Sequence, residues 1–190
     1  MAVTDVDICN IAQIKLGAEE IGTLTSPVTP AERRYARLYP HYRDVELRAR
    51  RWHFALAEQF PLTLISGTTG SDSLPYAYLV PPNSLRVIRD KRSRWKQVGQ
   101  RLYSDDSGVL KVDYIRGDLL ASDFDPNFVE VLACRLAFEA AEKVTQSNTK
   151  KQDMWSAYKA ALLVAGQTNA FVIGPEDYHT EDSSWLTARL

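Results

Sequence analysis

The spacing of apolar residues changes character twice along this chain. Val6, Ile8, Cys9, Ile11, Ala12, Ile14 and Leu16 cover most of a helical circumference, with Asn10, Gln13 and Lys15 between them. Such a helix is expected to lie sandwiched among other elements. Thr4 is a good N-cap with Asp7 as its partner, and Gly17 supplies a stop. After a loop over 18–28, Thr29-Pro30-Ala31-Glu32 is a strong start signal. Tyr35, Leu38, Tyr42, Val45 and Leu47 form the apolar positions of the helix that follows. Pro40 inside it predicts a kink or a division in two.

Beyond Trp52-His53-Phe54 the period shortens to that of strands. Strands are predicted over 60–65, 76–80, 85–89, 95–102 and 109–115. In the last, Leu110, Val112 and Tyr114 alternate with Lys111 and Asp113. Ser104-Asp105-Asp106-Ser107-Gly108 reads as a hairpin turn joining the last two. Few strands and short turns suggest one small antiparallel sheet.

Helical spacing returns at Asp125-Pro126, an N-cap followed by proline. Residues 129–144 are nearly all apolar, with Arg135, Glu139, Glu142 and Lys143 as a narrow polar stripe and Glu139–Lys143 spaced as an ion pair. A polar break at 146–149 leads to a helix whose face is Trp155, Tyr158, Leu162 and Ala165, with Gly166 as its stop. So short a connection predicts an antiparallel pair. From about Ala170 the periodicity is lost. The predicted class is α+β, mainly α. A helical bundle (1–55 and 120–168) carries a small inserted antiparallel sheet or hairpin appendage (56–119), and an extended C-terminal arm (169–190) follows.

Composition changes little in this picture. The chain has 190 residues, 45% hydrophobic and 25% charged, with a net charge of -1, so it is not a uniformly basic nucleic-acid binder. Cys9 and Cys134 read as buried thiols, with a disulfide open to them only if their helices pack side by side. The acidic N-terminus lacks a basic leader, and no apolar run reaches membrane-spanning length, so a soluble, intracellular chain is expected.

The sequence offers no persuasive catalytic constellation. It has no phosphate loop and no nucleophile elbow, and His41, His53 and His179 lie in three separate segments. No catalytic residue, metal or cofactor is expected. A carboxylate pair such as Glu58 and Asp72 could serve a small hydrolase, but nothing in the spacing supports it. The basic residues carry more. Arg86, Arg89, Lys91, Arg92, Arg94, Lys96 and Arg101 cluster in the strand region. Arg89, Lys91, Arg92 and Arg94 read as a hairpin tip that meets DNA phosphates, a neighbouring subunit or solvent. The second helix holds seven arginines, Arg33, Arg34, Arg37, Arg43, Arg48, Arg50 and Arg51, and no lysine. Arginine is favoured where planar ion pairs cross an interface, which makes Arg33, Arg34 and Arg37 candidates for subunit contact.

An ordered set of motifs resembles a known family. It runs from Asn10-x-Ala12-x-x-x-Leu16-Gly17 through Arg51-Trp52-His53-Phe54-Ala55 to Tyr76-Ala77-Tyr78-Leu79-Val80-Pro81-Pro82-Asn83-Ser84-Leu85-Arg86-Val87. Val112-Asp113-Tyr114-Ile115 and Asp125-Pro126-x-Phe128 follow. Together, over about residues 4–165, they resemble the tail tubular protein A and related head-to-tail adaptor proteins of short-tailed phages; Asn83 stands where Asp is expected. The resemblance implies a structural protein of the virion tail, made in the host cytoplasm. It implies a ring of about twelve copies, each offering two different faces, between the portal protein and the tail nozzle or tail tube, with genomic DNA passing through the lumen. It further implies a portal-gripping C-terminal tail, here with Phe171, Tyr178, Trp185 and Leu186 as anchors. A DNA-binding packaging accessory protein, resting on the basic cluster, is the alternative.

Overall fold

The computed structural model describes residues 2–71, 73–88 and 94–173. Helix α1 (Asp5–Leu16) opens with the expected capping box: the Thr4 hydroxyl accepts from the Asp7 N–H, and the Asp7 carboxylate accepts from the Thr4 N–H at 2.8 Å. Gly17 ends it at φ 70°, the left-handed conformation that glycine adopts without a Cβ penalty. Helix α2 (Pro30–Ala49) starts with the same device, Thr29 with Glu32. It is neither ended nor divided at Pro40, which lies on the exposed face. Helix α3 (Pro126–Thr145) is capped by Asp125, and α4 (Asn148–Ile173) follows after a short link. The pairs Glu142–Lys151, Phe138–Trp155 and Arg135–Tyr158 show that α3 and α4 run antiparallel, as the short link predicts.

Three features of these helices differ from expectation. Glu139 pairs at 2.8 Å with Arg135, one turn before it, rather than with Lys143. Helix α4 does not stop at Gly166 but continues to Ile173, because nothing in that turn adopts the left-handed conformation of a helix stop. Phe171 is therefore a helical residue. Ile14 of the α1 helix is 61% exposed, so this helix is buried on one side only.

The strand region departs further. Among the described residues it contains seven strands in two antiparallel sheets. In chain order they are β1 (Leu56–Pro61), β2 (Thr63–Ser71), β3 (Leu74–Leu79), β4 (Ser84–Ile88), β5 (Trp95–Val98), β6 (Arg101–Ser104) and β7 (Lys111–Arg116). One sheet has the order β1-β7-β4, the other β2-β3-β6-β5. The chain is thus a mixed helix-and-sheet fold, not a mainly helical bundle with a small hairpin appendage. The physical reason is that the three-stranded sheet is buried on both faces. Ile115, with Leu56, Leu85 and Ile88, packs into the helical core beside Trp52, Phe128 and Leu132. Val87, Val112 and Tyr114 face the other way and close a second core with Tyr78, Trp95 and Leu102 of the four-stranded sheet. The layers run helices, three strands, four strands.

Local chemistry explains where the strand boundaries fall. The expected single strand over 95–102 is folded in half at Gly99, whose φ of 59° lets Val98 and Arg101 pair across a two-residue turn. Strand β1 is interrupted by a register shift between Ala57 and Phe60, with Gln59 at φ 51° and its N–H donating to the Asp113 carboxylate at 2.8 Å. Residues 104–108 do not close a hairpin, since β6 and β7 belong to different sheets. Tyr78 holds that loop: its hydroxyl sits 2.6 Å from the Asp106 carbonyl and 2.8 Å from that of Gly108. Strands β4 and β5 also lie in different sheets, so they do not flank a hairpin tip.

Candidate interaction surface

The buried polar groups do structural work. Glu46 is 3% exposed and accepts from the Tyr158 hydroxyl at 3.0 Å, while Arg135 Nε stands 3.9 Å away. The Arg135 guanidinium also lies over the Tyr42 ring at 4.9 Å. The cluster ties α2, α3 and α4 together. Burial pushes the Glu46 carboxyl above its ordinary value, partly offset by Tyr158 and Arg135. Burial likewise pushes Tyr158 up to about 12. Glu32 is the opposite case: backbone N–H groups of Thr29, Val28 and Gly22 converge on its carboxylate and hold it at about 2. Sequence reasoning missed both glutamates as interior groups. Glu32 was visible only as part of the helix start signal, and nothing in the sequence singled out Glu46.

Candidates for chemistry stay dispersed. Cys9 and Cys134 are buried and unlinked, and burial pushes their thiols to about 12 and about 11. His41 stands edge-on to Tyr42, His53 lies against Asn169, and His179 is outside the described residues. Among the described residues no three of His, Cys, Asp and Glu are grouped so as to hold a metal ion. Glu58 is exposed and lies 3.9 Å from Arg51, while Asp72 is outside the described residues.

The surface is where charge is left over. Arg33 and Arg37 are exposed and Arg34 is half-buried, and within the described residues none of the three has an ion-pair partner. Arg43 differs, being paired with Asp44 at 2.8 Å. Arg94 is exposed and comes no closer than 4.0 Å to Asp105; Arg89, Lys91 and Arg92 are outside the described residues. Lys96 and Arg101 stand on one face of the β5–β6 ribbon, since Lys96 pairs across from Tyr103 and Val98 from Arg101.

The far end of α4 carries the apolar surplus. Phe171 is 87% exposed, and Leu163, Val164 and Val172 are also open to solvent. Asn169 docks this end onto the chain before β1: its Oδ1 accepts from the His53 N–H at 2.8 Å and its Nδ2 donates to the Arg51 carbonyl at 2.7 Å. A groove runs beside it, lined by Lys159, Leu162, Ala170 and Ile173, with Arg50 across its middle and Arg86 at one end. Tyr178, Trp185 and Leu186 lie outside the described residues.

Among the described residues, no helix is long and apolar enough to cross a membrane. The class these features define is a mixed helix-and-sheet fold whose unpaired charges and exposed apolar residues lie on its outside. No known family model matches the chain, and no curated protein matches its sequence.

Proposed function

We propose that the chain is a structural subunit of the head-to-tail adaptor kind. It forms a ring with copies of itself between the portal protein and the tail nozzle or tube of a short-tailed phage, and lets the genome pass. On this reading it is not an enzyme, it resides in the virion tail, and it is present in the host cytoplasm during assembly. The observation that carries the reading is the C-terminal half of α4, where Leu163, Val164, Phe171 and Val172 are exposed to solvent and Leu163 lies beside Arg50. Apolar residues gathered on one exposed helix end mark a docking surface rather than scattered surface hydrophobics. Support also comes from α2, whose Arg33, Arg34 and Arg37 have no ion-pair partner among the described residues. A ring needs two unlike faces per subunit, and these two surfaces are unlike.

The family-like motifs support the reading through architecture. Asn10 clasps Ile21 through both its N–H and its carbonyl, Trp52 and Phe128 meet edge to face in the core, and Tyr78 fixes the 104–108 loop. The experiment is the native mass of the purified chain, alone and mixed with portal from the same phage. A discrete complex of many copies is expected with portal. Failure to form one at any concentration would remove the reading. The basic face of the β5–β6 ribbon favours, as the second reading, DNA contact. It predicts binding that falls steeply with salt and weakens in Lys96→Ala/Arg101→Ala.

A further inference from the structure

The groove beside α4 combines apolar lining with cations that nothing in it neutralises. Arg50 lies across it so closely that a Cβ at residue 166 would stand 2.7 Å from its guanidinium, and Gly166 makes room for it. Arg50 and Arg86 have no ion-pair partner among the described residues, whereas the neighbouring Arg51 reaches Asp113 and Glu58. Glu46 feels the charge of Arg50, but its carboxylate is buried and already held by Tyr158 and Arg135. The C-terminal end of α4 offers only about half a negative charge, less than two guanidinium groups carry. The groove therefore presents surplus positive charge next to Leu162, Ala170 and Ile173.

We infer that this groove receives the acidic C-terminal segment of a second copy of the chain. This rests on the ring reading above and names the contact that would join neighbours. Residues 174–190 hold four carboxylates, Glu176, Asp177, Glu181 and Asp182, against one cation, Arg189, and interleave them with Tyr178, Trp185 and Leu186. That alternation of acid and apolar groups is the complement of a groove with arginines over an apolar floor. Arginine forks suit carboxylates in bidentate pairs. Donor segment and acceptor groove are different surfaces, so the contact is head-to-tail and can close a ring.

The test titrates the full-length chain into a fluorescently labelled peptide of residues 174–190 and follows anisotropy at low and moderate salt, with no portal present. Binding is expected to weaken with salt and to fall at least tenfold for Arg50→Glu/Arg86→Glu. A charge-matched control, Lys143→Glu/Lys150→Glu, places the same change at the opposite end of α4, where Lys150 lies about 24 Å along the helix from Gly166, and is expected to bind as the parent does. Unaltered circular dichroism shows that both variants fold. Absence of binding overturns the proposal, as it would if each chain covered its own groove. Equal loss in both variants overturns it too, by showing general charge attraction. Because portal is absent, a failure here leaves the portal-mixing result standing, and a failure there leaves this one.

Discussion

Two glutamates of α2 respond to pH in opposite directions. Glu32 has its folded value lowered to about 2 by the converging N–H groups. Its contribution to stability is therefore full above its unfolded value and is lost as pH falls toward about 2. Glu46 has its folded value raised by burial, so folding favours its protonated form, and stability falls as pH rises through the raised value. Glu32→Gln should lower the thermal midpoint at neutral pH, and its gap from the parent should close on acidification. For Glu46→Gln, the parent should lose ground relative to the variant as pH rises above the ordinary carboxylate range. Thermal unfolding from pH 2 to 7 checks both, and parallel curves for parent and variants would sink the assignments. Local roles were legible at this scale. Thr4, Thr29 and Asp125 cap their helices as read, because a cap involves only the next three residues. Glu46 was not legible, since its partners Arg135 and Tyr158 lie on helices distant in sequence.

At the scale of elements, two glycines predict effects of opposite sign. Gly166 lies inside α4 and obstructs nothing but the tip of Arg50, a flexible side chain that can swing away. Gly166→Ala should stabilise the chain by up to about 1 kcal/mol, the helix-propensity difference. Gly117 follows β7, and a Cβ there would stand 2.9 Å from the Leu85 side chain and 3.2 Å from the Asn83 carbonyl. Leu85 is packed against the helical core and cannot yield freely. Gly117→Ala should destabilise by about 1–3 kcal/mol, the cost of overpacking. Denaturant midpoints decide, and the same sign for both would refute the reasoning. Gly166 illustrates why elements were partly illegible. A glycine after an apolar helical face has the look of a stop, and only Asn169, bonded to His53 and Arg51, shows that the helix continues to a docking point. Strand pairing was harder still, because β7 lies between β1 and β4, which are far from it in sequence.

For the whole molecule, the proposed function and the layered core make separate predictions. Cutting the chain after Ile173 removes no residue of either core, so the thermal midpoint should stay within about 2 °C, the shift expected of well under 1 kcal/mol. Portal binding should be lost. Unchanged portal binding would take the docking role away from the tail.

The layered core predicts how the molecule unfolds. An appendage joined to a bundle by a neck would melt by itself, as a separate cooperative unit. Here the three-stranded sheet supplies Ile115 to one core and Val87, Val112 and Tyr114 to the other, so neither core can lose that sheet and remain closed. The two cores carry their own reporters. Trp52, 2% exposed, belongs to the helical core and Trp95, 9% exposed, to the core between the sheets. Single-tryptophan variants, with the remaining tryptophans replaced by phenylalanine, make each core visible by fluorescence in denaturant. Within each variant, the emission of the retained tryptophan should change together with far-ultraviolet circular dichroism, as a two-state transition requires. A Trp95 transition well below the loss of helix would mean that the four-stranded sheet comes away first. The three-stranded sheet would then act as a cover for the helices rather than as the shared wall of both cores.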